Sequence, residues 1–288
     1  MPVPEKIPIS IGQCATLACL LEATAPKVGN VHRGADFADL SFTDFAVSAV
    51  LIGPTMEAAV ATGVGRAALD AIAATRERVA TNTNLGIVLL LAPLAAVPRA
   101  QSLVGGVDQV LAALTADDCR LVYEAIGLAQ PGGLGQVEQM DVHGPPPDDL
   151  LAAMRLAADR DLVARQYADG FDLVLNGIAP RIAECAQPGR WTLTEAIIRV
   201  HLQLLAEHED SLIVRKCGRE MAQRVSRLAE QTLDAGSPGD EAYHEALADF
   251  DFFLRSDGNR RNPGTTADLI AAGLFAALRE GMIQPPFR

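Results

Sequence analysis

Thr81-Asn-Thr-Asn-Leu-Gly-Ile-Val-Leu-Leu-Leu-Ala-Pro-Leu-Ala-Ala-Val97 joins a polar knot to the longest apolar run of the chain, Leu85 to Val97. The run falls short of the roughly 20 apolar residues needed to span a bilayer. It also contains Pro93, and it reads as a helix buried on all sides. The knot places hydroxyls, amides and free backbone N–H groups at that helix's N-terminus, where the positive end of the dipole suits an anion. Ordinary N-capping by Thr or Asn is compatible with this, since a cap residue can also face a ligand.

Composition extends the helical reading outward. The hydrophobic fraction is 49% and aromatics only 5%, with Ala and Leu dominant. That mixture favours packed helices over a β-sandwich, which needs more β-branched and aromatic residues in alternation. At 288 residues the chain could form one large or two small domains. No internal repeat or low-complexity linker divides it, so the expectation is one all-α domain over 1–288, with polar loops converging on one site. The net charge of −12 argues against nucleic acid or an anionic membrane as main partner. Five scattered cysteines (Cys14, Cys19, Cys119, Cys185 and Cys217) include no CxxC pair and read as reduced thiols. Met1-Pro-Val-Pro-Glu-Lys6 lacks the pattern of a signal peptide, so a cytoplasmic location is expected.

Taken in order, an amphipathic segment from Ile9 to Ala25 runs into Pro26, and Gly29 then frees the backbone to turn. Glu22, Lys27, Asn30, His32, Arg33, Asp36 and Asp39 crowd this turn. Carboxylates and cations among glycines suit a loop that handles a metal and phosphates, or a polar helix–helix connection. Ser41 and Thr43 are candidate caps of a helix closing near Gly53-Pro54, followed by a helical run from Thr55 to Val79 interrupted at Gly63 and Gly65. The string Gly63-Val-Gly-Arg-Ala-Ala68 resembles a dinucleotide fingerprint but follows no strand, which that motif requires. Helices are expected over Leu103–Leu114 and Ala116–Ala129. Pro131–Glu138 then reads as a loop able to approach a ligand, with Asp141-Val-His143 behind it. Asp148 should cap a helix from Asp149 to Tyr167, whose Arg155, Asp159 and Arg160 form an exposed ion-paired face. His201 and His208 lie seven apart without the spacing of a zinc motif. Two further knots, Glu207 to Gly218 and Arg260 to Asp268, each precede or open a helix, the second of them running to Leu278.

The order Glu22…Pro26-Lys27…Gly29, Gly34-Ala35…Asp39, Phe45…Ser48…Pro54, Asn82-Thr83…Gly86, Asp210…Arg215…Gly218 and Pro263-Gly264…Ala267-Asp268-Leu269 resembles the triphosphoribosyl-dephospho-CoA synthases. The resemblance covers nearly the whole chain and rests on joint order and spacing. It implies an all-helical enzyme that moves the triphosphoribosyl group of ATP onto the ribose of 3′-dephospho-CoA, releasing adenine. The family's product is a prosthetic-group precursor for citrate lyase or malonate decarboxylase.

Such a reaction builds positive charge at the anomeric carbon and removes a proton from the acceptor, and a carboxylate can serve both needs. By the resemblance, Glu22, Asp39 and Asp210 are the candidate catalytic groups. Glu22, Asp36, Asp39 and Asp210 are candidate ligands of Mg²⁺. Lys27, Asn30, His32, Arg33, Asn82, Thr83, Asn84, Arg215, Lys216, Gly264, Thr265 and Thr266 are candidate substrate contacts. Asp268 opens the final helix and fits either a structural or a catalytic part. The implied partners are a nucleotide or phosphoribosyl donor and a small-molecule acceptor, and a homodimer is compatible with apolar helix faces. The chain departs from the family where Asn-Thr-His-Lys-Gly becomes Asn82-Thr83-Asn84-Leu85-Gly86 and Pro-Lys-Pro-Gly becomes Pro26-Lys27-Val28-Gly29; a family His falls near Asp36. These changes resemble the branch found in methanogens and methanopterin-using bacteria, which suggests phosphoribosyl transfer to a ribitol-bearing methanopterin precursor as an alternative. A metal-dependent hydrolase and a non-catalytic helical binding protein are the readings from other classes.

Overall fold

α4 (Leu85–Ala95) is the axis of the protein, and every residue in it except Gly86 is buried. The computed structural model describes residues 8–130, 144 and 146–287. The loop expected over Pro131–Glu138 and Asp141–His143 lies outside them. Asn82 starts α4, its Oδ1 accepting from the N–H groups of Leu85 at 3.0 Å and Asn84 at 3.3 Å. Pro93 has no N–H to give the carbonyl of Leu89 four residues back. The hydroxyl of buried Tyr167 donates to that carbonyl instead, at 2.6 Å, so the helix carries its proline without an orphaned acceptor. Beyond the C-terminus, Arg279 donates to the carbonyls of Val97, Pro98 and Gln101.

Among the described residues the fold is all-α, with fourteen α-helices and one π-helical segment, Leu173–Ile178. α1 (Ile11–Thr24), α2 (Phe42–Thr62), α3 (Val64–Arg76) and α14 (Gly264–Arg279) pack around α4. α1 and α2 each begin with a reciprocal capping box, Ser10 with Gln13 and Ser41 with Asp44. Gly53-Pro54 does not end α2, which continues to Thr62 and breaks at Gly63, where φ is 85°. Gly53 is used for close packing, because a Cβ there would lie 2.6 Å from Thr16 Oγ1 on α1. The carbonyl that Pro54 leaves unbonded belongs to Val50, which is 60% exposed. α2 is the one described helix with the length and composition to cross a membrane; here it packs on α1 and α3.

α5 (Leu103–Ala112) and α6 (Ala116–Ala129) follow. Gly65 on α3 is where α6 crosses: its N–H donates to Asp118 Oδ1 at 2.9 Å, and a Cβ would lie 2.6 Å from Asp118 Cα. The glycine pair is thus a helix-crossing contact. The helix expected from Asp149 to Tyr167 is two helices, α7 (Leu150–Ala157) capped by Asp149 and α8 (Leu162–Ala168) capped by Asp161. The Asp161 carboxylate competes successfully for the backbone N–H groups of Val163 and Ala164, so the chain restarts rather than continuing. The π segment and α9 (Ala179–Cys185) complete this part.

α10 (Leu193–Glu207), α11 (Ser211–Cys217), α12 (Arg219–Asp234) and α13 (Glu241–Arg255) bury a second, smaller apolar cluster that includes Val28. The loop after α1 therefore reaches between two cores. α13 clamps it: Asp251 accepts from Gly29 N–H at 2.7 Å, while Arg255 donates to the carbonyl of Asn30 at 2.6 Å. Gly29 has φ 72°, and a Cβ there would lie 2.9 Å from Leu254. Gly29→Ala is expected to cost about 1–3 kcal/mol through strain at this left-handed position. Thermal melting should show a drop of several degrees; an unchanged melting temperature would mean the clamp is not rigid.

Candidate active site

A cavity of about 1300 Å³ opens where the end of α1, the segment 30–45, and the N-termini of α4 and α14 meet. Most single-ligand pockets enclose roughly 300–1,000 Å³, so this one has room for two substrates together.

Glu22, in the last turn of α1, lines the floor and is 4% exposed. Its carboxylate lies 2.8 Å from Lys27 Nζ, which is fully buried. Lys27 Nζ also donates to the main-chain carbonyls of Glu22 and Ala25 at the end of α1. Lys27 does not line the cavity, and its ammonium protons are already engaged. The expectation that it contacts phosphates is corrected: it is the counter-ion of Glu22 and the cap of α1. His201 on α10 is fully buried near Lys27 and neither ring nitrogen has a partner. Burial first, and then the Lys27 charge, hold His201 well below the usual imidazole range, so it stays neutral.

Asp268, the fifth residue of α14, lines the same floor. Gly86 is what lets it approach, since a Cβ there would lie 2.0 Å from Asp268 Oδ2. The group seated at the N-terminus of α4 is thus a carboxyl of the protein itself. Burial, then the neighbouring negative charges of Glu22 and Asp210, push the Asp268 carboxyl well above the ordinary carboxylate range. Glu22 and Asp268 therefore form an unequal pair, one held by a cation and the other with its neutral form favoured by burial and neighbouring charge. Sequence reasoning left Asp268 undecided; only the fold brings it beside Glu22.

Asp210 has a different task. Its Oδ1 accepts from Leu212 and Ile213 N–H at 2.9 and 3.0 Å, and its Oδ2 accepts from Thr266 N–H and Oγ1, both at 2.8 Å. It pins α11 to the start of α14, and Thr266 is occupied with it. These bonds take Asp210 out of the expected catalytic and metal-binding groups and Thr266 out of the expected substrate contacts, whereas Gly264 and Thr265 line the cavity. Asp36 accepts from Phe42 N–H at 2.7 Å, and Asp39 sits exposed on the rim. The four expected Mg²⁺ ligands, Glu22, Asp36, Asp39 and Asp210, thus have separate duties. Among the described residues no three His, Cys, Asp or Glu side chains come together to hold a metal. His32, whose Nδ1 accepts from Gly34 N–H at 3.1 Å, and exposed Arg33 lie outside the lining.

Asn30, Asn82, Thr83, Asn84, Arg215 and Lys216 do line the cavity. Asn30 donates to Asn262 Oδ1 at 2.7 Å, while its own buried Oδ1 has no partner. Thr83 shares a 2.6 Å hydroxyl contact with Ser48. Arg215 pairs with Asp161 at 2.8 Å. Three further cations on the lining were missed as site residues: Arg76, Arg160 and Arg260. Arg160 had read as part of an ion-paired outer face; the break between α7 and α8 turns it to the cavity mouth. For Arg76, the last residue of α3, no sequence signal distinguished it from a helix-terminal cation.

The sequence model of the CitG family, ATP:dephospho-CoA triphosphoribosyl transferase, matches residues 8–285. The chain belongs to this family. A solved structure from Archaeoglobus fulgidus, provisionally described as a triphosphoribosyl-dephospho-CoA synthase, is similar at TM-score 0.64 and 26% identity. The match covers 82% of this chain and 99% of that one. A comparison with curated proteins finds no significant match. The protein is therefore a triphosphoribosyl transferase by family, and the CitG assignment gives the wall at 84–85 its interest. Asn84 turns inward, donating to Thr75 Oγ1 at 3.1 Å, and Leu85 closes the wall without a charge.

Proposed function

We propose that this enzyme transfers the triphosphoribosyl group of ATP to a ribose hydroxyl of dephospho-CoA and releases adenine. The observation that carries the reading is the carboxyl pair lining the cavity, Glu22 held by Lys27 at 2.8 Å and Asp268 seated against Gly86, where burial and the charge of Glu22 favour its neutral form. Environments that push two carboxyl groups apart separate the base from the acid. As the bond from the anomeric carbon to adenine breaks, its electrons go to the base, which takes the Asp268 proton. The Glu22 carboxylate faces the positive charge building on the ribose and receives the proton of the acceptor hydroxyl as the new carbon–oxygen bond forms. A proton passed from Glu22 to Asp268 restores the starting state. The unpartnered Oδ1 of Asn30 suits a ribose hydroxyl donor. Arg160, Arg215, Lys216 and Arg260 suit the triphosphate.

Mg²⁺ enters this account as part of the substrate. Mg²⁺ commonly takes its ligands from substrate phosphates and water with few carboxylates, and a metal–ATP chelate asks for no resident carboxylate cage. The free and mostly buried cysteines suit a reducing, cytoplasmic setting.

A second reading is favoured by Asn84 and Leu85, which leave the wall uncharged where the family resemblance places a His and a Lys. In it, the acceptor is a ribitol-bearing methanopterin precursor and the donor ATP or phosphoribosyl diphosphate. Mass spectrometry of the purified protein with Mg²⁺, ATP and dephospho-CoA separates the readings. Adenine together with a triphosphoribosylated product is the expected result. Donor binding without product would move the second reading forward, and adenine release without any acceptor would make the enzyme a hydrolase.

A further inference from the structure

The cavity has two chemically different sides. Every residue that α4, α6, α7 and α8 contribute to it is uncharged, Leu89, Tyr123, Ile126, Ala153, Met154 and Val163 among them. The carboxyl and cationic groups of the lining come from elsewhere: the end of α1, the 30–45 segment, the end of α3, the connection between α7 and α8, the end of α11, the approach to α14 and α14 itself. α7 alone presents residues from Leu150 to Ala157, a wall of about 10 Å at the helical rise.

We propose that this apolar side is the acceptor's tail subsite, holding the uncharged pantetheine arm of dephospho-CoA while its ribose lies against Glu22 and Asp268. The assignment rests on the transfer reading above, and it follows from where the donor must lie. ATP has to present its departing adenine to Asp268 and its anionic triphosphate to the cations, and both are on the polar side. The acceptor, joined to the site through its own ribose, is then the substrate with a long uncharged portion left to place. The gem-dimethyl group and methylenes of a pantetheine arm gain most from an apolar wall.

Saturation-transfer NMR on dephospho-CoA, without ATP, tests this independently of turnover. Transfer to the gem-dimethyl protons, measured against the adenine protons of the same molecule, should be strong in the wild type. It should fall about fivefold or more in Ala153→Phe, which fills the wall, and in Met154→Glu, which charges it. Circular dichroism melting identifies which variants are folded. Competition in the wild type gives a variant-free check: pantetheine deuterated at its gem-dimethyl group should remove the gem-dimethyl signal of dephospho-CoA and free adenine should not. Unchanged ratios in a folded variant, or displacement by adenine, would overturn the assignment. If the wild type shows the gem-dimethyl signal but releases no adenine from ATP, the transfer reading falls and the tail subsite stands. Adenine release without that signal sinks the subsite alone.

Discussion

Glu22→Gln leaves the protein about 3–5 kcal/mol less stable and slows adenine release by roughly 10²–10⁴-fold. Both effects come from one ion pair. Lys27 is fully buried, and the Glu22 carboxylate 2.8 Å away is its charged partner. Removing that carboxylate strands a cation in the interior, and breaking a buried pair costs far more than the pair contributes when intact. The double substitution Glu22→Gln with Lys27→Met separates the two roles. It removes the stranded charge and should recover most of the lost stability in urea denaturation, while the transfer rate stays low. Recovery of both properties would mean that Glu22 only balances Lys27. A single substitution that leaves stability intact would mean that water reaches Lys27.

Asp268→Asn is expected to lower adenine release by a similar factor and to remove a pH limb. Asp268 donates only while protonated, and its carboxyl is pushed well above the ordinary range by burial and by the charges of Glu22 and Asp210. The wild-type rate should therefore fall as pH rises through that raised value. The variant, with nothing to donate, should show no such fall. The same shift has a stability consequence of opposite benefit. The unfolded chain releases this proton near pH 3.9, whereas the folded chain holds it to a higher pH. The stability linked to that proton is fully present below the unfolded value and is lost as pH rises through the folded one. Asparagine has no proton to lose. Relative to wild type, Asp268→Asn should gain melting temperature at pH 8 compared with pH 4, and an equal difference at both pH values would argue against a raised pKa.

The sequence carried the helices far better than it carried the duties of single side chains. The apolar period and the capping residues placed α1, α4, α5, α6 and α14 within a few residues of their observed bounds. Pro54 misled because a proline on an exposed helix face can be accommodated, and the need for Gly53 was set by α1 across the contact. Asp161 misled because a mid-helix carboxylate and a restarting cap look alike in one dimension. At the site, Glu22, Asn30, Thr83 and Arg215 were legible as polar residues in turns or at helix ends. Lys27 and Asp210 were legible as important, but not as buried partners of the protein itself. Their roles depend on which groups lie across the fold, Glu22 in one case and Thr266 in the other. Asp268 beside Glu22 joins residues 246 positions apart, and no local spacing records that.

The central claim is that Asp268 keeps its proton beside an ion-paired Glu22. Infrared difference spectroscopy of wild type against Asp268→Asn, near neutral pH and without substrates, tests it most directly. The account predicts a carbonyl stretch of a protonated carboxyl in the wild type that is missing from the variant. A difference spectrum containing only the bands of an ionised carboxylate would contradict it.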